Sequence, residues 1–115
     1  MLPVELSCQQ QAGQAEVLLQ VEPDLFWFRG HFPTQPLLPG VAQLDWVMHY
    51  GVTLLAPGRQ FSAVENIKFQ QPILPGHTLK LTLSWQSEKS CLQFDYQIVD
   101  GKQPLRASSG KITLC

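Results

Sequence analysis

The sequence is short of charge. Only 15% of its 115 residues are Asp, Glu, Lys or Arg, where an average soluble domain carries roughly a quarter. A chain this small exposes much of its surface, so the deficit implies that some of that surface is covered by another copy. Neither sign of charge is in excess, with 8 Lys and Arg against 9 Asp and Glu and a formal charge of −1. Without a basic field, and without Lys and Arg interleaved with aromatics, nucleic acid is not an expected partner. Cysteine is scarce too: Cys8, Cys91 and Cys115 form an odd set without metal-ligand spacing. Met1 to Gln10 has neither a basic leader nor an apolar run, so free thiols in a reducing cytoplasm are expected. Long hydrophobic runs are missing as well. The most apolar stretch, Gly40 to Ala56, contains Gln43, Asp45 and His49 and is too short and too polar to span a bilayer. The length fits one domain over 1–115, and no repeat or low-complexity tract divides it.

What is present is one helical segment among β-compatible ones. Val4–Cys8 and Ala15–Val21 are short strand-like runs on either side of a Gln-rich turn at Gly13, which predicts a hairpin. From Pro23 to Pro39 prolines interrupt the chain, and Pro33, Pro36 and Pro39 recur at the polyproline II period. This stiff segment delivers Pro39 to a helix start, where a missing N–H costs nothing. A helix is predicted from Gly40 to Ala56, stopped by Pro57-Gly58. Val41, Leu44, Val47, Met48, Leu54 and Leu55, with Trp46 and Tyr50 on a further side, leave it almost no direction for water. The expectation is a helix buried inside a sheet. Downstream, Leu79, Leu81, Leu83 and Trp85 alternate with polar residues, as do Leu92, Phe94, Tyr96 and Ile98. Asp100-Gly101 marks a turn into a last strand, about Leu105 to Leu114, whose Ala107, Ser108, Ser109 and Gly110 leave room for close backbone approach. The fold class is therefore α+β, an antiparallel sheet wrapped on one central helix.

Three residues carry candidate chemistry. His31 stands between Gly30, which lets a ligand approach, and Phe32, which keeps water away. A neutral imidazole can accept a proton near pH 7, although a loop carbonyl satisfying the ring would explain it equally. Asp45 lies about 7.5 Å along the helix axis from Gly40. In an apolar helix its carboxylate is costly unless paired, so it is either functional or the partner of His49 one turn on. Desolvation there would raise its pKa and favour the protonated form of a general acid. Gly40 sits where helix N–H groups are unpaired and the macrodipole is positive, so it is either an oxyanion donor or an ordinary helix-start glycine.

Gly30-His31-Phe32-Pro33, then Pro36, Pro39-Gly40-Val41 and an acid 14 positions after the histidine, resemble the signature of the 3-hydroxyacyl-acyl carrier protein dehydratases, which have the hotdog fold. Ile67-Lys68-Phe69 with Pro72 and Pro75-Gly76, and Ser109-Gly110-Lys111, resemble later strands of that family, so the likeness extends from about residue 15 to the end. It implies loss of water from a carrier-bound 3-hydroxyacyl thioester without a cofactor. His31 would take the α-proton, Gly40 N–H would hold the developing oxyanion, and Asp45 would protonate or position the leaving hydroxyl. It also implies a homodimer in which histidine and acid come from different subunits. A polyproline II path from Pro33 to Pro39 would hold His31 about 19 Å or more from its own helix start, so either the loop doubles back or a partner supplies Asp45.

The resemblance is not complete. Asp45 stands where many relatives have Glu, and His49 where they often have Gln. Phe26, Trp27, Phe28, Phe32, Val41, Trp46 and Phe69 are candidates to contact an acyl chain, with core packing as the plain alternative. Arg29 and Lys68 are candidate contacts for an acidic carrier protein, or solvated charges. His31, Asp45, His49 and His77 lack metal-site spacing, so no metal is expected, and His77 after Pro75-Gly76 reads as a turn residue. Leu44-Asp45-Trp46 and the short length point to the branch associated with aryl-polyene lipid clusters. Two rival activities remain, a hotdog acyl thioesterase and a non-catalytic acyl-carrier-binding or assembly subunit.

Overall fold

The computed structural model describes residues 3–22 and 38–115. Strand β1 (Val4–Gln11) turns back into β2 (Gln14–Gln20) through Ala12 and Gly13. Gly13 has φ 75°, a left-handed conformation that a residue without Cβ adopts without strain. This is the hairpin that the flanking runs predict, with β1 reaching three residues beyond Cys8.

Helix α1 spans Gly40–Leu54 and closes at Leu55, whose N–H donates to the Gly51 carbonyl at 2.9 Å. It thus ends two residues before the expected Ala56, and Gly58 turns the chain with φ 84°. Strands β3 (Phe61–Phe69), β4 (Thr78–Gln86), β5 (Cys91–Ile98) and β6 (Leu105–Leu114) follow. All pairings are antiparallel, in the order β1-β2-β4-β5-β6-β3. The two edges are therefore β1 and β3.

One face of the sheet is dry. Val17, Leu19, Leu79, Leu81, Leu83, Leu92, Tyr96, Ile112 and Leu114 are buried against Ala42, Trp46, Val47 and Tyr50 of α1. Alternation along β4 and β5 puts these side chains on one side because successive residues of a strand point oppositely. Gly51 brings α1 close to the sheet, since a Cβ there would lie 2.3 Å from Leu92 Cδ2.

The helix is not enclosed as its composition suggests. Its inner face carries Ala42, Gln43, Trp46, Val47, Tyr50 and Gly51. On its other side Val41 is 65% exposed and Asp45 and His49 are also exposed, flanked by half-buried Leu44, Met48 and Val52. The apolar residues around the helix belong to two surfaces, one satisfied by this chain's sheet and one not. Edge strand β3 is open in the same way, with Phe61, Val64 and Phe69 all exposed. Among the described residues no helix is long and apolar enough to cross a membrane.

Candidate active site at the start of the central helix

A cleft of about 490 Å³ opens at the N-terminus of α1 between Leu38, Pro39, Gly40 and Gln43 on one side and Phe69, Gln70, Gln71 and Pro72 on the other. Pro39 is the residue before the helix, in extended conformation, and among the described residues no side chain caps the first turn. The Pro39 carbonyl accepts from Ala42 N–H at 3.1 Å and Gln43 N–H at 3.2 Å. The N–H groups of Gly40 and Val41 precede these bonds, and no acidic residue occupies the first turn to offset the positive end of the helix. Gly40 is needed for space. A Cβ there would lie 2.8 Å from Phe69 Cζ, so any larger residue drives the Phe69 ring outward.

Behind the cleft is a polar network inside the core. Gln43 is 4% exposed and Ser108 fully buried. Ser108 Oγ donates to Gln43 Oε1 at 2.7 Å, Gln43 Nε2 donates to the Leu38 carbonyl at 3.4 Å, and Tyr96 OH donates to the Gln43 main-chain carbonyl at 2.6 Å. Burial holds the Tyr96 hydroxyl well above its ordinary pKa, with repulsion from Tyr50 and Asp45 adding to it, so it remains a donor. Sequence pattern marked none of these three as part of a site. The available signal was a polar Gln43 on the face that also carries Ala42, Trp46 and Val47, opposite a serine at an inward position of β6.

Of the residues singled out from sequence, the structure brings Gly40 and Phe69 together at the cleft. His31, Arg29, Phe32, Phe26, Trp27 and Phe28 lie outside the described residues. Asp45 is exposed rather than embedded, because it projects from the face of α1 that the sheet does not cover. This chain's own fold therefore does not desolvate it. Among the described residues no ion pair joins it to His49, whose ring packs edge-on against Tyr50 with centroids 5.0 Å apart. Val41 lies on the same open face, outside the cleft lining. Trp46 is fully buried in the core and does not line the cleft, since its position faces the sheet.

Lys68 is also displaced from the cleft. It pairs with Ser109 and, with Arg106 and Lys111, lines a separate groove of about 500 Å³ where Arg106 Nε meets Asp95 Oδ1 at 2.8 Å. Alternation in β3 sends Lys68 and Phe69 to opposite sides. His77 is a turn residue as expected, with Nδ1 3.3 Å from Asp100 Oδ2. Desolvation pushes the Asp100 carboxyl up, but hydrogen bonds from His77 and Thr78 N–H outweigh it and hold its pKa below the ordinary value. The described cysteines are all free, Cys91 buried and Cys8 and Cys115 exposed.

One long α-helix packed on a six-stranded antiparallel sheet is, among the described residues, the hotdog arrangement. At the level of fold alone, the dehydratase domain from the CurK module of curacin polyketide synthase superposes with a TM-score of 0.72 at 18% identity, over 98% of this chain and 42% of that one. The model of the ApeI-like family, described as ApeI dehydratase, matches residues 7–111. The chain belongs to that family. A chain of the dehydratase heterocomplex ApeI:P from Xenorhabdus doucetiae is 52% identical, with a TM-score of 0.93 over 100% of this chain and 99% of that one. An uncharacterized protein from Erwinia carotovora subsp. atroseptica is 59% identical, with a TM-score of 0.93 and coverage of 100% and 97%. Among curated proteins, the 3-hydroxyacyl-acyl-carrier-protein dehydratase FabZ of Fusobacterium nucleatum is 35% identical over 83 residues, 68% of this chain and 56% of that protein. The chain spans a little over half the length of that relative and of the FabZ from Pseudoalteromonas translucida, which it matches at 38% identity.

Proposed function

We propose that this protein dehydrates a 3-hydroxyacyl thioester carried on an acyl carrier protein, giving the trans-2-enoyl thioester and water, in fatty acid or aryl-polyene-type lipid biosynthesis in the cytoplasm. The observation that carries this is the cleft at Gly40, where the first turn of the helix, uncapped among the described residues, borders a space walled by Phe69. The N–H donors of such a turn stabilise an enolate-like oxygen as the α-proton leaves, and one of them is worth about 3 kcal/mol in a dry site. His31 accepts that proton. Asp45 gives its proton to the β-hydroxyl as the C–O bond breaks, and water departs. Arg29, Phe32 and Val41 are proposed to contact the substrate or its carrier.

The site is shared between two copies of the chain. The stripe Val41, Asp45 and His49 and the edge strand β3 with Phe61, Val64 and Phe69 are open together, and a second copy laid along both would bury apolar surface and desolvate Asp45. The Xenorhabdus relative occurs in a heterocomplex, so a different second chain is the alternative occupant. The curated relatives are named as 3-hydroxyacyl-acyl-carrier-protein dehydratases, which favours dehydration over thioester hydrolysis and over a purely binding role.

The test uses the purified full chain and a 3-hydroxyacyl-carrier protein. Dehydration produces a conjugated enoyl thioester that absorbs in the ultraviolet and frees no thiol, whereas hydrolysis releases a thiol. Loss of turnover in both His31→Ala and Asp45→Ala is expected, and mixing the two inactive proteins should restore about a quarter of wild-type activity if each site draws on two identical subunits. No recovery on mixing, with each variant still dimeric, would refute the shared site. Unchanged turnover in both variants would refute the assignment.

A further inference from the structure

We propose that Gln43 is a positioning residue for this reaction, setting the direction of the Gly40 N–H through a hydrogen-bond chain that runs from β6 to Leu38, two residues before the helix. The inference rests on the dehydratase reading and goes beyond it. Leu38 is held on both sides of its peptide group. Its N–H donates to the Ile73 carbonyl at 2.8 Å and its carbonyl accepts from Gln43 Nε2 at 3.4 Å. Between Leu38 and the first helical donor, the Ala42 N–H, stand Pro39, Gly40 and Val41, and Pro39 has a ring-fixed φ. Fixing the Leu38 carbonyl therefore leaves the Gly40 amide little freedom to turn.

Gln43 itself is over-determined. Ser108 Oγ holds its carboxamide oxygen at 2.7 Å, which orients Nε2 toward Leu38, and Tyr96 OH holds its backbone carbonyl at 2.6 Å. A buried amide costs several kcal/mol when its partners are missing, so an apolar side chain would be the cheaper filler for this core position. The amide can accept from Ser108 and donate to Leu38 at once, and it does so in a single protonation state. Gln43 also lines the cleft beside Gly40 and Phe69, so the chain ends at the reacting space.

Gln43→Met keeps the length and volume of the side chain but removes both bonds. It should lower kcat about 100-fold, the effect of a small misplacement of a donor, while KM changes less than about threefold. Gln43→Glu supplies the rescue: only a protonated carboxyl can donate to Leu38, so its kcat should recover as pH falls, relative to wild type. Ser108→Ala should reproduce part of the loss, and adding it to Gln43→Met should cost little more. The Gly40 amide signal in an NMR spectrum gives a readout independent of turnover and should shift in Gln43→Met but not in a core variant of equal stability loss such as Ile112→Val. A wild-type protein that makes no enoyl product overturns the dehydratase reading, while the amide signal still decides the positioning. Wild-type kcat in Gln43→Met, or an unmoved Gly40 amide, overturns the proposal. If Gln43→Met does not fold, Ser108→Ala and Gln43→Glu carry the same two outcomes.

Discussion

Replacing Gly110 by alanine should destabilise the fold from a point where three elements converge. Gly110 lies at an inward position of β6 opposite Phe94. An added Cβ would lie 2.3 Å from Ile67 Cδ1, 3.1 Å from Ile67 Cα and 3.2 Å from Phe94 Cε1. The δ-methyl can rotate away at a cost of about 1 kcal/mol. The Ile67 main chain cannot, so the backbone of β3 must give by a few tenths of an ångström. Overpacking of this kind costs about 1–3 kcal/mol, and the lower entropy of the unfolded chain with alanine returns about 0.4–1 kcal/mol. A net loss of about 1–2 kcal/mol corresponds to a fall in Tm of roughly 4–8 °C for a domain of this size. Thermal unfolding at fixed protein concentration measures it, since association would make Tm concentration-dependent. Ile67→Val alone should cost about 1 kcal/mol, but in the Gly110→Ala background it removes the worst clash and should cost less or nothing. A neutral Gly110→Ala, or strict additivity with Ile67→Val, would refute the reasoning.

Gly51→Ala should be milder, because a gain of about 1 kcal/mol in helix propensity partly offsets the clash with Leu92 Cδ2; a Tm loss equal to that of Gly110→Ala would contradict this. Trp46→Phe should lower Tm while leaving KM for the acyl substrate unchanged, as suits a core residue; a KM shift without a Tm change would return Trp46 to the binding surface. The depressed pKa of Asp100 gives a signed acid prediction. Its contribution to stability is complete above the unfolded value of 3.8 and is lost as pH falls through the lower folded value. Asp100→Asn should therefore flatten the acid limb of the stability–pH curve below about pH 4 and leave its alkaline side unaltered, which acid titration by circular dichroism checks.

The parts of the fold that sequence pattern made legible are those with a clean period. β4 and β5 alternate strictly, and their apolar positions are the buried ones apart from Trp85, which is half-buried at the end of β4. Gly13 and Gly58 marked turns where left-handed backbone is required, and both have positive φ. What pattern could not separate was the two apolar faces of α1. Periodicity records that a residue avoids water, not whether the shelter belongs to its own chain. Hence Val47 and Val41, equal in composition, are fully buried and 65% exposed respectively. Lys68 lies outside the cleft although its neighbour Phe69 reaches it, because alternation along β3 sends the two side chains to opposite sides. The Gln43–Ser108 bond escaped because it joins residues 65 positions apart, and no local period links a helix to the last strand.

The exposed position of Asp45 bears on the chemistry more than on the fold. A general acid must hold its proton until the hydroxyl leaves, and a site closed to water prevents that proton from leaking. The same stripe of α1 carries Val41 above it and His49 below, with Leu44 and Met48 half-buried at its sides, and such a surface is unfavourable in water. Covering the stripe removes water from the apolar residues and from the carboxyl in one event. On the proposed mechanism, association and activation of the acid are the same step, and the two should show one concentration dependence. Dilution below the dissociation constant should abolish turnover in parallel with loss of the larger species in sedimentation. Full specific activity in a chain shown to be monomeric would separate the two events and remove the reason for placing Asp45 in a site that two subunits build.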